Sequence, residues 1–146
     1  MSKGNTFESE LLALLFNNTD IADIGDAAGI QNSAAAGSLY IALHTGDPGE
    51  AGTSATNEAT YTGYARVAVA RSGAGWTVAG SSVSNAAQIA FGECTALSDT
   101  VTYVSITTAV SGATKILYSG ALTASRSISA GITPLFAIGG LTVTED

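Results

Sequence analysis

The sequence predicts an all-β protein: an antiparallel β-sandwich of jelly-roll type with one short N-terminal helix. Three observations predict it. From residue 38 onward, short runs alternate apolar with small or polar residues, the two-residue period of a strand that buries one face. Gly, Ser or Asn punctuates nearly every gap between those runs. No long amphipathic segment lies between them to supply the crossover helix that parallel strands need. The 146 residues amount to about one domain's worth of chain. The patterning divides them into a helix and connecting arm, 1–37, and a sandwich domain, 38–146.

Residues 5–17 read as the helix. Phe7, Leu11, Leu14 and Leu15 recur at i, i+4, i+7 and i+8 and make one face, which Leu12 and Phe16 widen. Asn5 or Thr6 suits the N-cap, Glu8 and Glu10 complement the N-terminal dipole, and Asn17-Asn18 suits the stop. A helix this short needs a surface to dock on, either the protein's own sheet or a neighbouring subunit. Residues 18–37 are a polar, Ala/Gly-rich connection. Asp20, Asp23 and Asp26 stand three apart there, but Ile21, Ile24 and Gly25 break the calcium-loop pattern and no Glu closes it.

Strands follow at 38–45, 63–71, 76–79, 82–91, 100–109, 115–122, 125–129 and 135–144. Roughly eight strands fit a double-sheet jelly roll, which also manages its exposed edges. The expected core is Leu39, Ile41, Leu43, Val67, Val69, Ile89, Phe91, Val104, Ile106, Leu117, Leu122, Phe136, Leu141 and Val143.

Composition narrows the function. Net charge is −7, and Lys3, Arg66, Arg71, Lys115 and Arg126 are too scattered to form the basic stripe that nucleic acid requires. The most apolar run, 34–43, is short and broken by Gly37 and Ser38, far from the ~20 residues of a membrane span. No secretory signal is expected, because Glu8 and Glu10 stand where a positive region would be. The single cysteine, Cys94, forms no internal disulfide and reads as a buried thiol in a chain made in a reducing cytoplasm. Charged residues are 12% of the chain, against roughly 25% ordinarily, which suits a surface covered by partners.

One connection stands out. Residues 46–62, GDPGEAGTSATNEATYT, are longer than most ordered loops. Asp47-Pro48-Gly49 is a turn in which proline presets φ and glycine supplies positive φ. Asp47, Glu50 and Glu58 could serve acid/base chemistry or hold a hard cation with loop carbonyls, but three acids on such a loop read more simply as solvated. His44 is the one histidine; a triad could draw only on it and Asp47, and no G-x-S-x-G accompanies them. It reads as a strand-end histidine bonded to backbone. Gly73-Ala74-Gly75 opens no helix and so lacks the context of a phosphate loop. Arg66 or Arg71 is placed to pair with Glu58 across the loop base, or both face solvent. The expectation is therefore no catalytic residue, no cofactor and no metal.

LYIALHTGDPGEAGT at 39–53, NEATYTGYARVAVAR at 57–71, VSNAAQIAF at 83–91 and the ending GITPLFAIGGLTVTED together resemble a family of small tailed-bacteriophage structural proteins. Members of that family are often labelled tail-fibre-like. The resemblance implies a virion component rather than an enzyme. With no repeat and no stalk in the chain, it points to a capsid cement or decoration protein. Such a protein would be made in the host cytoplasm, bind the phage major capsid protein on the outer shell, and form a symmetric homo-oligomer. The alternative is a minor tail, tail-fibre-like or head–tail joining protein. A second is a carbohydrate-binding β-sandwich using Tyr40, Tyr61, Tyr64, Trp76, Tyr103 or Tyr118. Candidate partner contacts are Phe7, Leu11, Leu14 and Leu15 on the helix, and Asp47, Pro48, Glu50 and Glu58 on the loop.

Overall fold

The computed structural model describes residues 1–146. One helix, α1 (Asn5–Asn17), precedes nine strands: β1 (Ser38–His44), β2 (Val67–Ala70), β3 (Trp76–Ala79), β4 (Ser82–Asn85), β5 (Ile89–Ala90), β6 (Asp99–Thr107), β7 (Ile116–Ile128), β8 (Leu135–Phe136) and β9 (Thr142–Thr144). They form sheets of four, three and two strands, ordered β2-β1-β6-β7, β3-β4-β9 and β5-β8. The chain is all-β with antiparallel pairing and a single short helix, as the alternation predicts. No helix is long and apolar enough to cross a membrane. Two units form: one of Met1–Ser38, Ala70–Gln88 and Phe136–Asp146, the other of Leu39–Val69 and Ile89–Leu135.

In the first unit α1 packs on β3 and β4. Its N-cap is Gly4, with no side-chain cap, rather than Asn5 or Thr6. It ends as expected, at Asn18 in the left-handed region (φ 56°, ψ 40°), where the Thr19 N–H reaches the Ala13 carbonyl at 3.2 Å. Arg71 closes the last turn, donating from Nε to the Leu15 carbonyl and from Nη2 to the Leu14 carbonyl, both at 2.7 Å. The face turned inward is Glu8, Leu12 and Phe16. Phe7 is exposed, and Leu11, Leu14 and Leu15 are half-buried. The apolar stripe is broad enough to allow either rotation. The bulkiest contact decides it: Phe16 meets Trp76 edge-to-face, ring centroids 4.8 Å apart. Asn85 ends β4 by donating to the Ala87 and Ala137 carbonyls and accepting from the Leu141 N–H, each at 2.8 Å. That is why the expected strand 82–91 breaks after it.

In the second unit β1 lies between β2 and β6. Its pairing with β6 sets Ile41 against Ile106 and Leu43 against Val104. Ile41, Ala42, Leu43 and His44 are all buried, so this strand is covered on both faces. Leu39, Val69, Ile89, Phe91, Val104 and Ile106 are buried here as expected, and Leu141 in the first unit. Val67, Leu117, Leu122, Phe136 and Val143 are only half-buried. Leu117 and Leu122 lie on β7, an edge strand covered less fully than a central one. The expected strand 63–71 is trimmed to Val67–Ala70. Gly63 has φ +105°, and a Cβ there would stand 2.1 Å from the Glu93 carbonyl oxygen, so this backbone crosses another segment too closely to extend a ladder. The expected strands 115–122 and 125–129 are one strand, β7, whose register against β6 shifts between Val101 and Tyr103 and again between Ile106 and Thr107. Such bulges twist an edge strand and limit its pairing with other chains.

Candidate functional site

The 46–62 loop leaves the end of β1 and is closed at its base like a ladder. The Thr45 N–H donates to the Asn57 carbonyl at 2.7 Å, and the Ala59 N–H to the Leu43 carbonyl at 2.9 Å. The Asp47 carboxylate accepts from the Gly49 N–H at 2.8 Å, which forms the expected turn. Gly52 has no room for a side chain, since a Cβ would lie 1.9 Å from the Pro48 carbonyl oxygen. Farther along, the Ser54 N–H donates to the Thr114 carbonyl at 3.0 Å, and the Thr114 N–H donates to Ser54 Oγ at 2.9 Å.

Three polar groups fasten the loop to the sheet. His44 is fully buried. Its Nδ1 lies 2.8 Å from the Thr56 carbonyl, which can only accept, so Nδ1 carries the proton. Nε2 then accepts from the Ser105 hydroxyl at 2.7 Å. Burial holds the imidazole pKa below its usual 6.5, against the opposing pull of the Thr56 carbonyl and Glu58. The second fastening is Glu58, which accepts from Arg66 Nε and Nη2 at 2.7 Å each and from the Tyr64 hydroxyl at 3.0 Å. Arg66 also donates to the Ala109 and Gly112 carbonyls. Burial pushes the Tyr64 hydroxyl well above the usual phenol range. The third is Asp99, whose carboxylate accepts from the Thr60 and Tyr61 N–H groups at 2.6 and 2.8 Å.

This arrangement aims polar groups at the protein's own backbone. The Ser105–His44 pair has the spacing of a nucleophile and base, yet both residues are buried and the far ring nitrogen faces a carbonyl, so the pair holds the loop. His44 is thus the backbone-bonded strand-end histidine that the sequence suggests. Arg66 is the arginine that pairs with Glu58. Arg71 does not face solvent but serves the helix end. Asp47 and Glu50 remain exposed, Pro48 is buried, and Glu58 is turned inward. No group of three or more His, Cys, Asp or Glu is placed to hold a metal ion. Among the aromatic residues considered for sugar stacking, Trp76 and Tyr61 are buried in their own units. An open groove of about 470 Å³ lies between Gly49, Glu50 and Gly52 of the loop and the stretch Lys115, Ile116, Leu117, Tyr118 and Ser119.

Sequence reasoning did not find Ser54, Ser105, Thr114 or Asp99. They join residues about 40 to 60 positions away, and isolated Ser, Thr or Asp on a strand carries no periodic signal. Arg66 at i+8 from Glu58 was the one legible cue.

The buried polar groups of this β-rich chain thus fasten its own loops. Residues 4–144 match the family described as Podophage GP4 fiber I protein gp80. The chain belongs to this family and is a phage structural protein associated with the virion. No curated protein matches it. The coarse expectation of a bacteriophage structural protein agrees with this membership. The finer one needs correcting in emphasis: the family is a fibre family, which fits the tail-fibre-like alternative better than a cement protein on the shell.

Proposed function

We propose that this chain is a fibre-type subunit of a podophage virion, acting as a structural building block and not as an enzyme. The observation that carries the proposal is the family match across residues 4–144. The fastened 46–62 loop supports it, because a loop held at Thr56, Glu58 and Ser54 offers its exposed Asp47 and Glu50 on a rigid base. A preformed surface loses less freedom on binding than a mobile one. The partner is a neighbouring virion protein, met through that loop tip or through the Phe7 side of α1, and no cofactor or metal is needed.

Quantitative mass spectrometry of purified virions, with gold-labelled antibody imaging, tests this. A small copy number located at the tail is the expected result. Hundreds of copies over the head would return the shell-cement reading and make the major capsid protein the partner. Particles lacking the chain separate the same two readings: intact heads with impaired adsorption are expected, whereas heads that rupture early on heating would point to cement.

A further inference from the structure

The 46–62 loop is fastened by two carboxylates, Glu58 and Asp99, and by two neutral side chains, Ser54 and His44, of which the histidine can take up a proton. We propose that His44 is an acid-sensitive latch: below neutral pH its protonation releases the 46–62 loop from the sheet while the rest of the fold stays intact. This goes beyond the fibre reading and does not depend on it.

The argument is geometric. His44 is fully buried between a loop carbonyl, Thr56 O at 2.8 Å, and a β6 hydroxyl, Ser105 Oγ at 2.7 Å. In the neutral ring every polar atom is matched, Nδ1–H with a carbonyl and Nε2 with a hydroxyl proton. A proton added at Nε2 forces Ser105 to accept instead of donate and leaves its own hydrogen without this partner. Of the neighbouring charges, Glu58 favours the cation and Arg66 opposes it, but burial outweighs both, and the Glu58 carboxylate is already held by two Arg66 nitrogens and Tyr64. No carboxylate hydrogen-bonds His44 itself. Asp99, the acid at the start of β6, is engaged with the Thr60 and Tyr61 amides. The cation therefore gains most by reaching water, and the segment that can move to let it out is the one bonded to Nδ1.

Linkage gives the direction and size. In an opened loop the ring titrates near 6.5, and in the closed state below it. Above 6.5 the latch is fully effective; as pH falls below 6.5, the open form takes up a proton that the closed form refuses. Opening then becomes about tenfold more favourable per pH unit until the closed-state value is reached.

The experiment is amide hydrogen exchange on the whole chain from pH 7 to 5, corrected for intrinsic rates, with Trp76 fluorescence recorded alongside. The Thr45, Ser54 and Ala59 amides bond within or from the loop and report on it. Trp76 lies in the other unit and reports unfolding there. The expected result is protection at those amides falling by up to tenfold per unit below pH 6.5, with Trp76 emission unchanged. His44→Gln, which keeps one donor and one acceptor, should abolish the pH dependence. Constant protection over this range would overturn the latch. So would loss of protection that coincides with a change at Trp76, which marks general unfolding. Should the glutamine variant not fold, the His44 ring resonances in the native chain decide: titration at or above 6.5 refutes the proposal.

Discussion

Glu58 and Arg66 show how much one residue's neighbours decide. The Arg66 side chain is 2% exposed, and its charge is matched by a carboxylate at 2.7 Å. Removing one partner of a buried ion pair leaves the other uncompensated, at about 3–5 kcal/mol. Glu58→Ala and Arg66→Ala should each cost about that much in urea unfolding. The double variant should cost clearly less than their sum, because the second change removes the stranded charge. Equal additivity would mean that the two residues act apart. Tyr61 gives a second check at this scale. Burial, with Asp99 and Cys94 nearby, pushes its hydroxyl up to about 12, and it donates to the Gly92 carbonyl at 3.1 Å. The unfolded chain releases this proton near 10, so the stabilisation is complete below pH 10 and is lost as pH rises from 10 to 12. Alkaline titration of Tyr61→Phe should lack that part of the loss.

Among the elements, α1 depends on partners more than on itself. A 13-residue helix without a side-chain N-cap is marginal in water. It is secured at one end by Arg71 and along one side by Phe16 against Trp76. Arg71→Ala should cost about 1.5–3 kcal/mol, the range for hydrogen bonds from a charged donor, and lower α1 helicity by circular dichroism. Trp76→Phe should cost far less than Trp76→Ala. The indole N–H has no hydrogen-bond partner, so phenylalanine gives up volume only, whereas alanine opens a cavity worth about 3–5 kcal/mol. The strand expected at 63–71 carries a different lesson. Its alternation is real, but Gly63 fits only where its missing Cβ lets the Glu93 carbonyl approach. Gly63→Ala meets both a carbonyl and an unfavourable φ, so loss of soluble folded protein is expected on expression.

For the whole molecule, the chain passes between its two units at 38/39, 69/70, 88/89 and 135/136, so each unit is assembled from separate stretches. Residues 1–38, which the sequence presents as an arm, share a unit with 70–88 and 136–146. The boundary at 37/38 can be tested directly. A 38–146 fragment lacks Phe16 and Leu12, so its Trp76 should emit at longer wavelength than in the full chain. An unshifted spectrum would mean that the sandwich segment shields Trp76 without the arm.

By itself, the sequence determined the all-β class of fold and the coarse reading of a phage structural protein. Alternation at 38–45 and 100–109, turn residues between runs and a Leu-rich 5–17 are local signals, and local backbone preference is enough to set them. The Asp-Pro-Gly turn and the stop at Asn18 were legible for the same reason. Only the tertiary structure decided which face of α1 goes inward, why 82–91 breaks at Asn85, and what His44, Glu58 and Asp99 hold. Each of those rests on a partner far along the chain: Phe16 on Trp76, Asn85 on Leu141, His44 on Ser105. A hydrogen bond between distant residues leaves no period in a sequence. Its energy depends on burial, and burial exists only once the sheets have closed around it.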